Sequence, residues 1–224
     1  MLNSAQQLQM PTLMPGTWIQ VGNQSVRSFL LSLVLLTPSV AAAQNGDMGF
    51  RLTGPAGCDR NCPAYVLGEG YITSDTVRRY QDFVARHGAN LPVFLNSRGG
   101  ELQGGIRLGA ALRARRAAVY VPSGGTCASA CAYAFLGGMV RGVQEGGRIG
   151  VHRPIVVRRS SGRRSAADEQ ALEPRIAAIL TNYVAAMGGS PALVALAAGT
   201  EPPAIRYLSP AELRRYKVVK ESES

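Results

Sequence analysis

The chain has 224 residues, 46% of them hydrophobic and 17% charged, with 24 Lys and Arg against 14 Asp and Glu for a formal net charge of +10. That length buries one good core rather than two. The basic balance invites nucleic acid as a partner, yet no zinc-finger, homeodomain or RNA-recognition signature appears, and the N-terminus carries an export pattern that argues against such a partner.

That pattern runs from Arg27 through the apolar stretch Phe29 to Leu36 and Thr37-Pro38-Ser39 to the small-residue site Ala41-Ala42-Ala43 before Gln44. It is the layout of a secretory signal peptide and is too short for a membrane span, which needs about 20 apolar residues. The expected organisation is a signal peptide with an N-terminal extension over 1–43, with Met10 and Met14 as alternative starts. A cysteine-containing segment over 44–63, one folded domain over 64–220 and a tail over 221–224 complete it. The expected location is the periplasm or the cell exterior. Arg27 is the one charged residue in 1–43, so the rest of the chain stays strongly basic.

Residues 64–72 read as a strand, and 74–87 as a helix with Val77, Tyr80, Phe83 and Val84 on one face. Leu91 to Leu95 is a short continuous apolar run of the kind that forms a buried parallel strand, and it leads into the glycine turn Asn96-Ser97-Arg98-Gly99-Gly100. A second helix is predicted over 104–116, with Ile106 and Leu112 inward, and a second buried strand over 117–121. Ser123-Gly124-Gly125 precedes the segment Thr126-Cys127-Ala128-Ser129-Ala130-Cys131, where Ser129 opens a helix. A strand over 148–151 then leads into His152-Arg153-Pro154. From 171 to 187 the spacing of Ile176, Ile179, Leu180, Tyr183, Val184 and Met187 is helical, and Gly188-Gly189 ends it. Ser190-Pro191 and Ser209-Pro210-Ala211-Glu212 read as helix starts. Short strands are expected over 205–208 and 217–219.

Three of these segments in this order resemble the Clp protease proteolytic-subunit and crotonase superfamily, in particular its predicted secreted bacterial branch, from about Tyr65 to Val219. In Clp subunits an Asn-Ser-Pro-Gly-Gly turn follows a strand, the nucleophilic Ser opens a helix among small residues, and the base lies in a hydrophobic-His-x-Pro tetrapeptide. Here these read Asn96-Ser97-Arg98-Gly99-Gly100, Ala128-Ser129-Ala130 and Val151-His152-Arg153-Pro154, with Arg98 in place of the usual proline. The resemblance implies an α/β, crotonase-like spiral of ββα units and, through helices like that over 171–187, a homo-oligomer.

A serine hydroxyl attacks a carbonyl usefully when a base takes its proton and preorganised N–H groups receive the developing charge. Ser129 at a helix start aims its hydroxyl and the Ala130 N–H at one point, and the resemblance adds the Gly100 N–H as the second oxyanion donor. An ordinary helix cap is the plainer reading of Ser129, and a capping or buried histidine that of His152. An unperturbed imidazole titrates near enough to neutrality to act as a base. The other histidine, His87, falls at a helix C-terminus and reads as structural or solvated. The resemblance places the orienting acid at Ile205, which is aliphatic. Glu201 is the nearest carboxylate and stands as the candidate third member. Asp168 and Glu169 read more simply as helix-start residues. A Ser-His dyad, or a backbone carbonyl orienting His152, is the alternative to a triad.

Cys58, Cys62, Cys127 and Cys131 form two C-x3-C pairs, and export favours disulfides with three possible pairings. A bond from Cys127 to Cys131 within a helical turn would be strained, so pairing between the two segments has equal standing. The spacing is wider than the usual zinc pair and no local histidine supports one, so no metal is expected; nor is a cofactor. Arg158, Arg159, Arg163 and Arg164 around Ser160-Ser161-Gly162 read as a solvated basic loop, with an anionic surface as the functional alternative.

These residues point first to a secreted serine hydrolase, a peptidase acting on peptides or unfolded protein. The alternative is a catalytically degenerate Clp-like binding or assembly module, which the missing acid favours. Acyl-CoA chemistry of the crotonase type ranks third, because coenzyme A is scarce outside the cytoplasm. A redox role for the cysteines ranks last, C-x3-C not being the usual redox motif.

Overall fold

The computed structural model divides the chain into two units, Met1–Pro38 and Ser39–Ser224, and describes residues 46–54, 64–88, 90–155 and 166–220 of the second, with the backbone alone for 166–171. The signal peptide, Cys58, Cys62, the arginines of 158–164 and the tail over 221–224 lie outside the described residues.

The larger sheet has five strands in the order β1 (Gly49–Thr53), β2 (Tyr65–Glu69), β3 (Val93–Asn96), β4 (Ala118–Val121), β6 (Val140–Val143). β1 runs antiparallel to β2, and the other neighbours are parallel. A smaller sheet holds β5 (Thr126–Ala128), β7 (Arg148–Val151) and β8 (Arg206–Tyr207), with β5 and β7 parallel and β7 and β8 antiparallel. The parallel order follows from helical crossovers. Between β2 and β3 lies α1 (Thr76–His87), between β3 and β4 lies α2 (Leu102–Ala114), and after β5 comes α3 (Ala130–Leu136). The chain then closes with α4 (Ala166–Ala186), α5 (Ala192–Ala198) and α6 (Pro210–Arg215).

The core forms where α1 meets the sheet. The Phe50 ring of β1 stacks on Tyr80 and Phe83 of α1, and the register places Phe50, Gly68 and Leu95 on the same face. On the opposite face, Tyr65, Phe94 and Tyr120 form a ladder of rings across β2, β3 and β4, with centroids 4.3 and 5.2 Å apart. All four residues of β3 are buried, as its continuous apolar run leads one to expect.

Small residues bring α2 and α3 into backbone contact. A Cβ at Gly105 would stand 2.3 Å from the Ala130 carbonyl oxygen, and one at Gly137 would stand 2.0 Å from that of Gly109. Arg141, buried at 1% exposure, locks the ends of three helices together. Its guanidinium donates to the carbonyls of Leu136, the last residue of α3, and Gly138 beyond it, Met187 after α4, and Lys217 and Val218 after α6. Carbonyls at helix C-termini have no partner within the helix and carry partial negative charge, so the cation is held without a carboxylate. Burial, together with neighbouring Arg113, brings its pKa down to about 10.

The predicted elements reappear with shifted ends, and three strands went unread: β1, β5 and β6. One expectation is overturned. Residues 217–219 form no strand; Lys217 takes φ 51° and the Val218 N–H returns to the Leu213 carbonyl at 2.8 Å, which is a cap closing α6. Only Lys220 beyond it bridges to Arg141. The start of α6 is as expected, with Ser209 and Glu212 in a reciprocal capping box and Pro210 in the first turn.

Candidate active site

The glycine turn is fixed from its polar start. Asn96 closes β3, and its side chain accepts from the Thr126 N–H at 3.0 Å and donates to Glu69 at 3.1 Å. Ser97 is fully buried; its hydroxyl donates to the Gly70 carbonyl at 2.6 Å and accepts from the Gly99 N–H at 3.1 Å. Its backbone meets β5 on both sides, through Ser97 N–H to Thr126 O and Ala128 N–H to Ser97 O. Asn96 and Ser97 are thus positioning residues that sequence reasoning quoted but gave no role. The signal was two polar side chains ending an apolar strand, which a buried strand admits only when every polar atom finds a partner.

The turn itself needs glycine twice. Gly99 (φ 114°) lies against the Ser129 segment, where a Cβ would come 2.7 Å from Ser129 Cβ; Gly100 (φ 146°) lies against Ile72, where one would come 2.1 Å from its carbonyl oxygen. The Ile72 strand end bonds to the groups either side of Gly100, through Ile72 N–H to Gly99 O and Glu101 N–H to Ile72 O. The Gly100 N–H therefore points away from it and makes no hydrogen bond to a described residue.

Ser129 joins β5 to α3 in a backbone conformation that L residues avoid, φ 55° and ψ −124°. Such a conformation costs on the order of 1–3 kcal/mol and persists only where the surroundings impose it. The Ser129 N–H is held by the Gly150 carbonyl of β7 at 2.9 Å, and its own carbonyl accepts from Ala132 at 3.0 Å. Its hydroxyl and the Ala130 N–H have no hydrogen-bond partner among the described residues, and Ser129 remains half-buried. Its hydroxyl does not cap α3.

His152 leaves β7 one residue after its end, and the parallel pairing of Ala128 with Gly150 puts Ser129 and His152 at adjacent strand ends. Its Nδ1 lies 2.6 Å from the Arg153 carbonyl oxygen. A carbonyl can only accept, so Nδ1 carries a proton, and in the neutral imidazole that leaves the lone pair on Nε2. No hydrogen bond joins Nε2 to Ser129 here; catalytic contacts of this kind often tighten only once substrate is bound. Glu201 does not reach the imidazole. Its carboxylate takes Arg153 Nη2 at 2.5 Å and is largely exposed, while the Arg153 N–H donates to the Thr200 carbonyl at 2.8 Å. Ile205 instead packs its Cγ2 over Gly150. Asp168 and Glu169 fall in the first turn of α4, and His87 lies exposed at the end of α1 with its ring 4.5 Å from that of Phe83.

Cys127 and Cys131 are joined, with Cα atoms 5.1 Å apart. The premise that this pair lies within one helical turn is corrected. Cys127 belongs to β5 and Cys131 to α3, and the turn at Ser129 brings the two together. A solvent-open groove that begins at Arg153, the residue after His152 in the chain, is lined mainly by Pro154, Pro174, Ile176, Leu180 and Val194, with Arg153 and Glu173 at its charged edge. Among the described residues no cluster of three His, Cys, Asp or Glu is placed to hold a metal ion, and no helix is long and apolar enough to cross a membrane.

This is a Clp protease-like α/β fold. Among solved structures, a mutant ClpP1 from Listeria monocytogenes is 19% identical over 69% of this chain and 88% of that one, with a TM-score of 0.51. Two mutant forms of the 1510-N membrane-bound stomatin-specific protease, one in complex with a substrate peptide, are each 20% identical over 69% of this chain. They cover 76% and 72% of those chains, with TM-scores of 0.49 and 0.48. No protein-family description matches the chain, and no curated protein does.

Proposed function

We propose that the protein is an exported serine peptidase of Clp-like fold in which Ser129 is the nucleophile, His152 the base, and the Gly100 and Ala130 amides the oxyanion hole. The observation that carries this reading is the strained backbone of Ser129 at the strand-to-helix junction, with its hydroxyl and the neighbouring Ala130 and Gly100 amides left without partners among the described residues. Ser129 Oγ attacks the scissile carbonyl as Nε2 of His152 takes its proton. The carbonyl oxygen, now negative, accepts from the two amides, and the imidazolium then protonates the departing amine. Water repeats the sequence in reverse to free the acyl group. The Arg153 carbonyl sets the tautomer that a carboxylate sets in a triad, so a Ser-His dyad oriented by backbone is the form the geometry supports.

The groove that begins at Arg153 suits an apolar side chain of a peptide or unfolded chain. A homo-oligomer and export with cleavage before Gln44 belong to the same reading; the latter is checked by N-terminal sequencing of secreted material, which should begin near Gln44 and would refute cleavage if 1–43 were retained. The second reading, a binding module that kept the fold, draws on Glu201 being engaged by Arg153. Turnover of unstructured peptides separates the two. Ser129→Ala and His152→Ala should each lose several orders of magnitude with the fold intact, and unchanged turnover in either would remove the mechanism.

A further inference from the structure

We infer that the Cys127–Cys131 cystine is a positioning clamp. It holds Ser129 in its left-handed conformation and aims the Ala130 N–H, so that the two cysteines act on the reaction through the residue between them. The inference rests on Ser129 as nucleophile for its catalytic consequence, though not for its structural one.

The bond's place in the chain is the first ground. It closes a loop of five residues centred on Ser129, fastening the end of β5 to the first turn of α3. Cross-links restrict the unfolded chain less as the loop shortens, so a loop this small stabilises the whole fold less than a longer one would. What it constrains is local. With both ends tied, the backbone between Cys127 and Cys131 must turn back within three residues, and the turn is made at Ser129 with φ 55°.

The second ground is what else holds that turn. On the β5 side Ala128 and Ser129 donate to Ser97 and Gly150, and on the α3 side Ala132 donates to the Ser129 carbonyl. These bonds fix each flank separately. The cystine is the covalent link between flanks. It is also fully buried at both ends, with Cys127 and Cys131 each at 0% exposure. A fully buried link beside a half-buried reacting group suits a permanent clamp better than a redox switch, which needs an accessible sulfur.

The test is the paired variant Cys127→Ala/Cys131→Ala in the exported chain, read by amide hydrogen exchange and by kinetics. Exchange protection at Ser129 and Ala132 should fall by about tenfold or more while that of Phe94 and Leu95 in β3 is retained. Phosphonylation of Ser129 by a fluorophosphonate and kcat should fall about 100-fold, as for a reacting group displaced by about 1 Å, with KM within about twofold. Unchanged protection at Ser129 overturns the clamp whatever the kinetics do. An equal loss across β3 and α1, or failure of the variant to fold, also overturns it by making the cystine a global stabiliser. Should local protection fall while the wild type never reacts with the fluorophosphonate, the clamp stands and the nucleophile reading fails.

Discussion

Replacing Gly105 by alanine sets two physical effects against each other at the helix contact that carries Ser129. In an exposed helix interior the change would stabilise by about 1 kcal/mol through helix propensity. Here the new Cβ would lie 2.3 Å from the Ala130 carbonyl oxygen and 2.9 Å from its carbon, against an ordinary contact of 3.4–4 Å. Both clashing atoms are backbone and cannot rotate aside, so α2 and α3 must part by roughly 1 Å, near the upper end of the ~1–3 kcal/mol cost of overpacking. Net destabilisation of about 2 kcal/mol follows, a fall in Tm of about 4–8 °C for a domain of this size. Because the displaced residue is Ala130, acylation at Ser129 should slow by about 100-fold at temperatures where the variant is still folded. Scanning calorimetry and fluorophosphonate labelling rates measure both. A variant more stable than wild type, labelling at the wild-type rate, would refute the close-packing argument.

Arg141→Ala should cost about 3–5 kcal/mol in urea denaturation, since the carbonyls of Gly138, Lys217 and Val218 lose their buried cationic donor while those of Leu136 and Met187 keep Arg113; a loss under about 1 kcal/mol would show that water replaces it freely. The Glu212 carboxyl is held down to about 2, first by the backbone N–H of Ser209 and then by Arg206 and the Ser209 hydroxyl. Its folded pKa lies below the unfolded one, so its contribution is full above about 4.5 and fades as pH falls toward 2; carbon NMR of the carboxyl should show that midpoint, and one near 4.5 would contradict the capping box. Glu201→Gln should leave turnover and its pH profile within about twofold, because the carboxylate engages Arg153 and not His152. A loss of orders of magnitude would restore the triad.

Long periodic segments were legible in the sequence because burial imposed their pattern: α1 and the run over β3 stand where Tyr80, Phe83 and the four apolar-to-polar residues of 93–96 put them. β5 was not, since three buried residues, Thr126-Cys127-Ala128, are too few for alternation and their partner β7 lies a helix and a strand further on. Residues 217–219 misled because Val218 and Val219 are apolar for a cap, not a strand, and a lysine rather than a glycine takes the left-handed position. At the site, Ser129 and His152 could be read from their neighbours in sequence. The Arg153 carbonyl could not, because a backbone acceptor leaves no side-chain signature. The pairing of Cys127 with Cys131 depended on the φ of Ser129, which spacing does not reveal.

The central claim is that Ser129 is an activated nucleophile. Treating the protein with a fluorophosphonate and locating the adduct by mass spectrometry tests it most directly. The account predicts a single adduct on Ser129, absent in Ser129→Ala and formed orders of magnitude more slowly in His152→Ala. No adduct across a broad set of probes, or an adduct on another residue, would contradict it.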